Sequence, residues 1–470
     1  ILQDPALAIH PPILYLGYVG SSIIFSSVLA ATTLNYINND WAKHIKSWVL
    51  ISWIFLTLGI LLGSIWAYYE LGWGGFWFWD PVENVSLMPW LALTTLLHCI
   101  LVLEKRSLFK SWIIILSIAT FTLSMCGTFL VRSGILNSVH AFATDSSRGL
   151  FILAFLILTL VISFLIYAKK GPLIDKKIEH EFLSRETGIL LNNWILLSIL
   201  FVVFIGTLYP IFTDIVFGSS LSVGPNYFII SLIPIVFILL ISMILTPMVS
   251  WNSDKFKNII VKIQKPLILS TALIFSLSLY YDKLSITEIS LLILSSTLIA
   301  SSLKDKLLLS KKIFSISSSL GRSLTHAGFG LLIISIVANS AYSKEKIFQA
   351  KVDDTLIVSG NKFLFAEVKK IEASNYHAIQ AFFELRKNGR ISEIFKPEIR
   401  FYSDPPTITS ETSISHRFFK DIYIVMNVPQ NQDHIDVRIH IKPFMNFIWF
   451  SIVIMMFGGM ISAITMRKIY

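Results

Sequence analysis

Five aromatic side chains lie within seven residues in the segment Trp73-Gly-Gly-Phe-Trp-Phe-Trp79, which contains no lysine or arginine. Tryptophan and phenylalanine rings stack on large planar π-systems, and glycine lets the backbone approach a ligand closely. We therefore predict a flat apolar platform for a planar ligand. The platform comprises Trp73, Gly74, Gly75, Phe76, Trp77, Phe78 and Trp79. The alternative is an interfacial belt, because tryptophan and tyrosine collect at the level of lipid headgroups.

Two acidic residues, Asp80 and Glu83, follow the aromatic segment and flank Pro81. Asp80 is a good N-cap, proline suits the first helical position, and Glu83 stands at the capping-box position. Helix capping is therefore the favoured interpretation of both carboxylates. A helix N-terminus aimed at the platform could still bind an anionic ligand, so Asp80 belongs to the predicted ligand-binding residues.

Two of the ten histidines lie at the same membrane face as the aromatic segment. His10 precedes Pro11-Pro12 at the mouth of the first apolar run, and His140 lies in a short loop. Each alone could be a loop histidine without a role. Together they predict two axial ligands on either side of one haem, because imidazole offers a nitrogen lone pair at neutral pH. Arg132 is then a candidate partner for the haem propionates through charge-assisted hydrogen bonds.

Two further histidines, His98 and His326, lie inside apolar runs. Counted from the inner ends of their helices, their depths differ by only about 5 Å. Ionisable residues inside a span are rare and face the bundle interior, so the pair predicts the axial ligands of an intramembrane b-type haem. Neutral histidines bonded to a serine or a carbonyl are the alternative. Gly328 and Gly330 could let a porphyrin lie against the second helix.

The composition indicates which class of protein positions these residues. The chain has 470 residues, of which 54% are hydrophobic and 14% charged, whereas a soluble protein carries about 25% charged residues. This excludes a soluble enzyme, a disordered protein and a nucleic-acid binder, and it indicates a polytopic membrane protein surrounded by lipid. Apolar stretches of membrane-spanning length predict eleven helices near 12–33, 47–69, 85–103, 112–131, 149–168, 189–212, 226–248, 265–281, 287–303, 324–341 and 444–464.

The distribution of lysine and arginine predicts the orientation. One set of alternate loops and the C-terminal tail hold 21 Lys and Arg, and the short loops between them hold 3. Positive residues remain on the inner side of a membrane. The aromatic loop 70–84, the loop 132–148 and the long segment 342–443 therefore face outside.

Segment 342–443 alternates apolar and polar residues, and Asn388-Gly389 between two such runs is a type I′ hairpin signal. We predict an all-α polytopic membrane protein with a small β-rich extramembrane domain near the C-terminus. The predicted divisions are a helical core at 1–341, the β-rich domain at 342–443, and the last helix with an inside tail at 444–470. Histidines 377, 416, 434 and 440 of the β-rich domain are expected at its surface.

These motifs resemble the CcmF family, the haem lyases of the multi-component cytochrome c maturation system, which include a nitrite-reductase-associated branch. The aromatic segment through Asp80-Pro-Val-Glu-Asn84 resembles the tryptophan-rich "WWD" signature of haem-handling membrane proteins. The flanking motifs His10-Pro-Pro-Ile-Leu-Tyr-Leu-Gly, Gly127-Thr-Phe-Leu-Val-Arg-Ser-Gly134 and Ser138-Val-His140-Ala-Phe are also similar. Phe76 stands where many relatives have a further tryptophan. The family usually has more upstream helices, so the chain is expected to be a fragment or a split subunit.

The resemblance implies that the tryptophan-rich loop holds a haem b substrate delivered by the haem chaperone CcmE, with His10 and His140 as its axial ligands. It implies a resident haem b on His98 and His326 that keeps the iron reduced, with quinol as the electron source. Subunits of the CcmH/CcmI type present apocytochrome c, whose Cys-x-x-Cys-His thiols add to the haem vinyls. The expected location is the bacterial inner membrane or, alternatively, the mitochondrial inner membrane.

Two other functions are compatible with the same residues. A haem transporter or exporter would move haem through the bundle, and a b-type quinol electron carrier would use only His98 and His326. The haem-lyase interpretation requires no general acid or base from this chain, because catalysis by positioning can suffice. No Cys-x-x-Cys-His occurs in the sequence, so haem held by this chain is not attached to it in the c-type way.

Overall fold

Eleven long helices dominate the part of the chain that the structure describes. The computed structural model describes residues 5–135, 145–171, 181–218, 221–280, 284–309, 318–403, 406–428 and 434–467. The helices are α1 Pro5–Thr33, α2 Asn39–Glu70, α3 Pro81–Arg106, α4 Lys110–Ser133, α5 Ser146–Lys170, α6 Arg185–Phe217, α7 Pro225–Leu245, α8 Phe256–Tyr280, α9 Ile286–Leu309, α10 Ser318–Tyr342 and α11 Met445–Arg467. Each contains a stretch long and apolar enough to cross a membrane, which confirms the predicted class of integral membrane protein.

The helices extend beyond the apolar windows from which they were predicted. α1 begins at Pro5 rather than near residue 12, and α8 begins at Phe256 rather than near residue 265. Polar N-caps account for several of these extensions, because their side chains accept hydrogen bonds from the first turn. Asn38 caps α2 in this way, and Asp145 caps α5.

The packing of the helices places the ends of α2 and α3 at the centre of one membrane face. α2 packs against α1, α3 and α11, while α3 also contacts α4 and α6. α10 packs mainly against α9 and α11. The loop between α2 and α3, which carries the aromatic segment, is therefore surrounded by other helix ends.

Between α10 and α11, the described residues form ten strands in two antiparallel sheets. The strands are β1 Lys344–Ala350, β2 Thr355–Val358, β3 Asn361–Glu372, β4 Tyr376–Lys387, β5 Arg390–Phe395, β6 Glu398–Ser403, β7 Pro406–Glu411, β8 Ser413–His416, β9 Lys420–Met426 and β10 Ile435–Pro443. One sheet has the order β1-β10-β9-β8, and the other has the order β2-β3-β4-β6-β7 with β5 paired to β4. Both contribute to one apolar core, including Phe363, Phe383 and Ile424, so the sheets form a sandwich.

The predicted β-rich character and the predicted hairpin are confirmed. Lys387 pairs with Arg390 across the β4–β5 turn, and Asn388 and Gly389 have φ angles of 50° and 76°. Positive φ at both central residues is the signature of a type I′ turn. The local sequence therefore determines this turn.

The four-stranded sheet packs its outer face on the helical core. Tyr423 and Val425 of β9 form an apolar cluster with Tyr68 of α2 and with Met445 and Ile448 of α11. Ile422, Ile424 and Met426 of the same strand face the sandwich core. Both faces of β9 are therefore buried, and the sandwich rests on the end of α2 where the aromatic loop begins.

Candidate functional site

The aromatic loop, residues 71–80, has irregular backbone between α2 and α3. Gly72 and Gly74 have φ angles of +68° and +75°, and Trp79 has a φ angle of +59°. Only glycine adopts such angles without steric cost, whereas a bulky residue there is strained and needs support from its surroundings. The loop conformation therefore depends on contacts from outside the loop.

The start of α3 supports the second half of the loop. Asp80 caps the helix and forms a capping box with Glu83, which confirms the predicted capping role. Oε2 of Glu83 accepts hydrogen bonds from the N–H groups of Phe78 and Asp80 at 2.8 and 3.1 Å. The side-chain amide of Asn84 donates to the carbonyl of Trp79 at 3.0 Å. The carboxylate of Glu83 thus fixes the backbone from Phe78 to Asp80.

The five rings form a braced cluster rather than the single flat platform predicted from the sequence. Trp77 meets Trp79 edge-on at 87°, and Trp73 meets Phe78 at 66°. Trp79 stacks on Phe228 of α7 with 4.6 Å between ring centroids and 5° between ring planes. Edge-to-face pairs are favoured by the quadrupole of the rings. All five rings remain partly exposed, so the loop can still offer individual faces to a planar ligand.

His10 lies inside α1, not before it, because the helix begins at Pro5. Its Nδ1 is 2.8 Å from the carbonyl oxygen of Gly59 on α2, and a Cβ added to Gly63 would lie 2.5 Å from the imidazole. Since a carbonyl only accepts, Nδ1 donates and the neutral ring carries its lone pair on Nε2. The neighbour of Gly63, Ser64, donates to the carbonyl of Phe76 at 2.9 Å. The structure therefore brings His10 close to the aromatic loop through α2.

Of the other two residues predicted for this site, Arg132 belongs to the described part of the chain and His140 does not. His140 lies outside the described residues. Arg132 is partly buried in the last turn of α4, and its carbonyl accepts a hydrogen bond from the N–H of Asp145 at 2.8 Å. Its neighbour Val131 belongs to the apolar cluster that contains Trp79. Arg132 therefore lies at the same end of the bundle as the loop.

His98 and His326 come from different parts of the bundle, on α3 and α10, and lie close enough to influence each other electrostatically. Nδ1 of His98 donates to the carbonyl of Thr94 at 2.8 Å, which leaves the lone pair on Nε2 in the neutral ring. His326 lines a small cleft with Arg322, Ser301 and Met248. The structure therefore brings the predicted pair together.

The structure gives Gly328 and Gly330 a role different from the predicted contact with a porphyrin. A Cβ at Gly328 would meet Met455 of α11 at 2.8 Å, and a Cβ at Gly330 would meet Ile299 of α9 at 2.8 Å. These glycines therefore permit close approach of neighbouring helices.

The prediction that four histidines of the β-rich domain lie at its surface is wrong for His440. His377, His416 and His434 are exposed, but His440 is only 2% exposed. It projects from the polar face of β10, and Gly74 of the aromatic loop covers that face, with the imidazole 2.6 Å from where a Cβ of Gly74 would lie. The alternation of β10 correctly indicates which face His440 occupies, but only tertiary packing buries that face.

A second buried polar group of the sandwich contacts the end of α2. Asp421 of β9 is fully buried, and its Oδ2 accepts hydrogen bonds from the hydroxyl of Tyr68 at 3.2 Å and from Nδ1 of His416 at 3.0 Å. The hydrogen bond to Asp421 raises the pKa of His416. These contacts connect the sandwich surface to the base of the aromatic loop.

Taken together, these features define an integral membrane protein with a braced tryptophan-rich loop, paired histidines and a β-sandwich at one membrane face. Comparison with known proteins agrees with this class. Residues 1–136 match the cytochrome c assembly protein family, and residues 341–443 match the CcmF C-terminal β-sandwich. The CcmF cytochrome c-type biogenesis protein of Pseudomonas aeruginosa is 38% identical over 99% of this chain and 72% of its own length.

Two further relatives have similar values. Escherichia coli CcmF is 36% identical over 98% of this chain and 72% of its own length, and Haemophilus influenzae NrfE is 34% identical over 100% and 74%. The chain therefore belongs to the CcmF family of cytochrome c-type biogenesis proteins. The solved structure of a cytochrome c haem lyase, CcmF, has the same fold, with a TM-score of 0.80 at 23% identity over 98% of this chain and 72% of that one.

Proposed function

We propose that this chain is a haem lyase in cytochrome c maturation, which holds haem on the aromatic loop and promotes its covalent attachment to apocytochrome c. The observation that carries the proposal is the braced loop itself, with five partly exposed rings beside His10. Family membership supports it, as does the shared fold with a solved cytochrome c haem lyase. Aromatic faces and a positioned imidazole are the groups that a haem substrate requires.

In this proposal His10 and His140 are the axial ligands of the substrate haem. The hydrogen bond from Nδ1 of His10 to Gly59 supports the role of His10, because it orients the ring and leaves the lone pair on Nε2. Arg132, at the end of α4, pairs with a propionate of the haem. Trp73, Phe76, Trp77, Phe78 and Trp79 supply the apolar faces.

The chemistry is the addition of a cysteine thiol to a haem vinyl group. The S–H bond and the π-bond of the vinyl break, a C–S bond forms, and the proton goes to the outer vinyl carbon, so no net oxidation occurs. Fixing the vinyl edge against the thiol of a Cys-x-x-Cys-His segment supplies effective concentration, which is worth about 7–11 kcal/mol in favourable cases. No residue of this chain is assigned as a general acid or base.

His98 and His326 would hold a resident haem b. The donor set fits: two imidazoles from different helices lie near each other, and Nδ1 of His98 bonds to Thr94 so that its lone pair lies on Nε2. A haem bound there would supply one-electron redox chemistry that could keep the substrate iron reduced, with quinol as the electron donor. The residues of this chain would contribute the two ligating imidazoles.

The proposed partners follow from the same function. The haem chaperone CcmE delivers haem to the loop, and subunits of the CcmH/CcmI type present apocytochrome c. The proposed location is the bacterial inner membrane, or the mitochondrial inner membrane as the alternative. The loop then faces the periplasm or the intermembrane space, as the imbalance of 21 against 3 Lys and Arg between loops indicates.

The test is a double variant, His10→Ala with His140→Ala, in cells that depend on this chain for maturation of c-type cytochromes. We expect the yield of holocytochrome to fall to background while the chain remains in the membrane. His377→Ala is the matched control, because His377 is exposed on the sandwich. A normal holocytochrome yield from the double variant would contradict the proposal.

A b-type electron carrier is the second candidate, and the paired His98 and His326 favour it. The two functions differ in the optical spectrum of the purified His98→Ala/His326→Ala protein. Loss of all haem supports a carrier, whereas retention of one haem supports a separate site on the loop. Comparison with the His10→Ala protein identifies which haem remains.

A further inference from the structure

The β-sandwich holds the first half of the aromatic loop, whereas α2 and α3 hold the second half. The hydroxyl of Thr412 donates to the carbonyl of Tyr69 at 2.6 Å, immediately before the loop. A Cβ on Gly72 would meet Val425 of β9 at 3.0 Å. The loop therefore crosses the outer face of the sheet from β9 towards β10.

Gly74 is the point of closest contact between the loop and the sheet. Its N–H donates to the hydroxyl of Tyr423 at 3.2 Å, and its Cα faces the imidazole of His440 so closely that a Cβ would lie 2.6 Å from Cε1 and 2.7 Å from Nε2. Gly74 also has a φ angle of +75°. Both the positive φ angle and the lack of room for a Cβ atom beside His440 therefore require glycine at this position.

Tyr423 and His440 contact each other, and both are buried from solvent. Tyr423 is fully buried and His440 is 2% exposed, and their rings meet edge-to-face at 88° with 5.3 Å between centroids. Burial raises the pKa of Tyr423, so its hydroxyl stays neutral. Neither nitrogen of His440 has a hydrogen-bond partner within the described residues. Burying polar nitrogens without hydrogen-bond partners costs folding free energy. Packing in the core therefore does not by itself explain why a histidine occupies this position.

We propose that Tyr423 and His440 are positioning residues for the haem held on the aromatic loop. They place Gly74, and hence the nearby Trp73 and Phe76, in a geometry that presents the rings to the ligand. The β-sandwich is therefore part of the haem site rather than only a docking module. This inference rests on the proposed function of the loop.

The first test compares two glycine variants in the His98→Ala/His326→Ala background, where the loop is the remaining haem site under the proposed function. Gly74→Ala introduces both the backbone strain and the contact with His440. Gly389→Ala is the matched control, because Gly389 has a φ angle of +76° with no atom within 4 Å of an added Cβ. In haem titrations of the purified full chain, we expect Gly74→Ala to weaken binding on the order of tenfold, and Gly389→Ala to leave it unchanged.

The second test restores room for the added methyl group at position 74. Adding His440→Ala to Gly74→Ala removes the ring that the new methyl group meets, so we expect it to recover part of the lost affinity. Tyr423→Phe, which removes only the hydroxyl that accepts from Gly74, should alter the optical spectrum of the loop haem while the protein remains folded. This readout separates positioning from a purely structural role, and it remains informative if Gly74→Ala does not fold.

The outcomes are distinct. Equal haem affinity of the Gly74→Ala and Gly389→Ala proteins, or an unchanged spectrum in Tyr423→Phe, overturns the positioning role while the haem-binding loop stands. Absence of recovery in the Gly74→Ala/His440→Ala protein contradicts the contact on which the inference depends. If the background protein takes up no haem at all, the proposed function itself fails, and the inference fails with it.

Discussion

Acidification should loosen the contact between the β-sandwich and the aromatic loop through His440. Burial, with the neighbouring Lys442 and Arg438, lowers the pKa of His440 from 6.5 to about 4. A carboxylate oxygen of Glu345 lies 3.8 Å from Nδ1. A group whose pKa is lowered by folding contributes stability that is fully present above its ordinary pKa and is lost as the pH falls towards its folded pKa. For His440 this window extends from pH 6.5 down to about 4.

The magnitude follows from the two pKa values. Lowering the pH from about 7.5 to about 4.5 should cost roughly 2–3 kcal/mol of folding free energy through this one group. For a domain of the size of the sandwich, such a loss corresponds to a decrease in melting temperature on the order of 10 °C. His416 acts in the opposite direction, because its hydrogen bond to Asp421 raises its pKa and its contribution is lost as the pH rises.

The assay is thermal unfolding of the detergent-purified chain across this pH window, with His440→Gln beside the unaltered protein. His440→Gln removes the titrating group, so the difference between the two proteins isolates the effect of His440 from those of His416 and the carboxylates. His377→Gln is the control, because His377 is exposed. Parallel pH profiles for His440→Gln and the unaltered protein would refute the argument that His440 is buried and neutral.

Two other substitutions probe the supports of the loop from the helical side. In Gly63→Ala the added methyl group would lie 2.5 Å from the imidazole of His10, so we expect displacement of His10 and haem binding weakened on the order of tenfold. Gly188→Ala is the control, because its methyl group meets Thr246 instead and it should bind haem normally. Equal haem binding by the two variants would contradict the prediction. Glu83→Ala removes the acceptor of two backbone N–H groups, and we expect a loss of about 1–3 kcal/mol in stability together with lower haem occupancy. Glu83→Gln keeps an acceptor oxygen and should lose less in both measurements, and an equal loss would argue against this role of the hydrogen bonds.

Local sequence was sufficient to predict the elements and, at the start of α3 and at the β4–β5 turn, their termini. Apolar runs predict the eleven helices because lipid allows no unpaired backbone, and the capping box at Asp80 and Glu83 depends on residues three positions apart. The Asn388-Gly389 turn likewise follows from two adjacent residues. The motif residues also predicted membership of the CcmF family, which the comparisons confirm.

The orientation of the rings could not be predicted in the same way. Five aromatics in seven residues indicate an aromatic site, but the angle between Trp77 and Trp79 depends on Phe228, which stacks on Trp79 from another helix. The role of the glycines in α10 was also ambiguous. From the sequence, Gly328 could face either a ligand or a neighbouring helix, and in the structure it contacts a helix.

The sequence by itself determined that an aromatic loop and the histidines His98 and His326 lie in a membrane protein with a β-rich domain, because hydropathy, periodicity and capping are properties of neighbouring residues. Only the tertiary structure decided that His440 is buried and that the sandwich holds the loop. Gly74 and Tyr423 are 349 positions apart, and no local pattern records which loop covers the polar face of a strand. That contact exists because the four-stranded sheet and the end of α2 bury their apolar surfaces against each other.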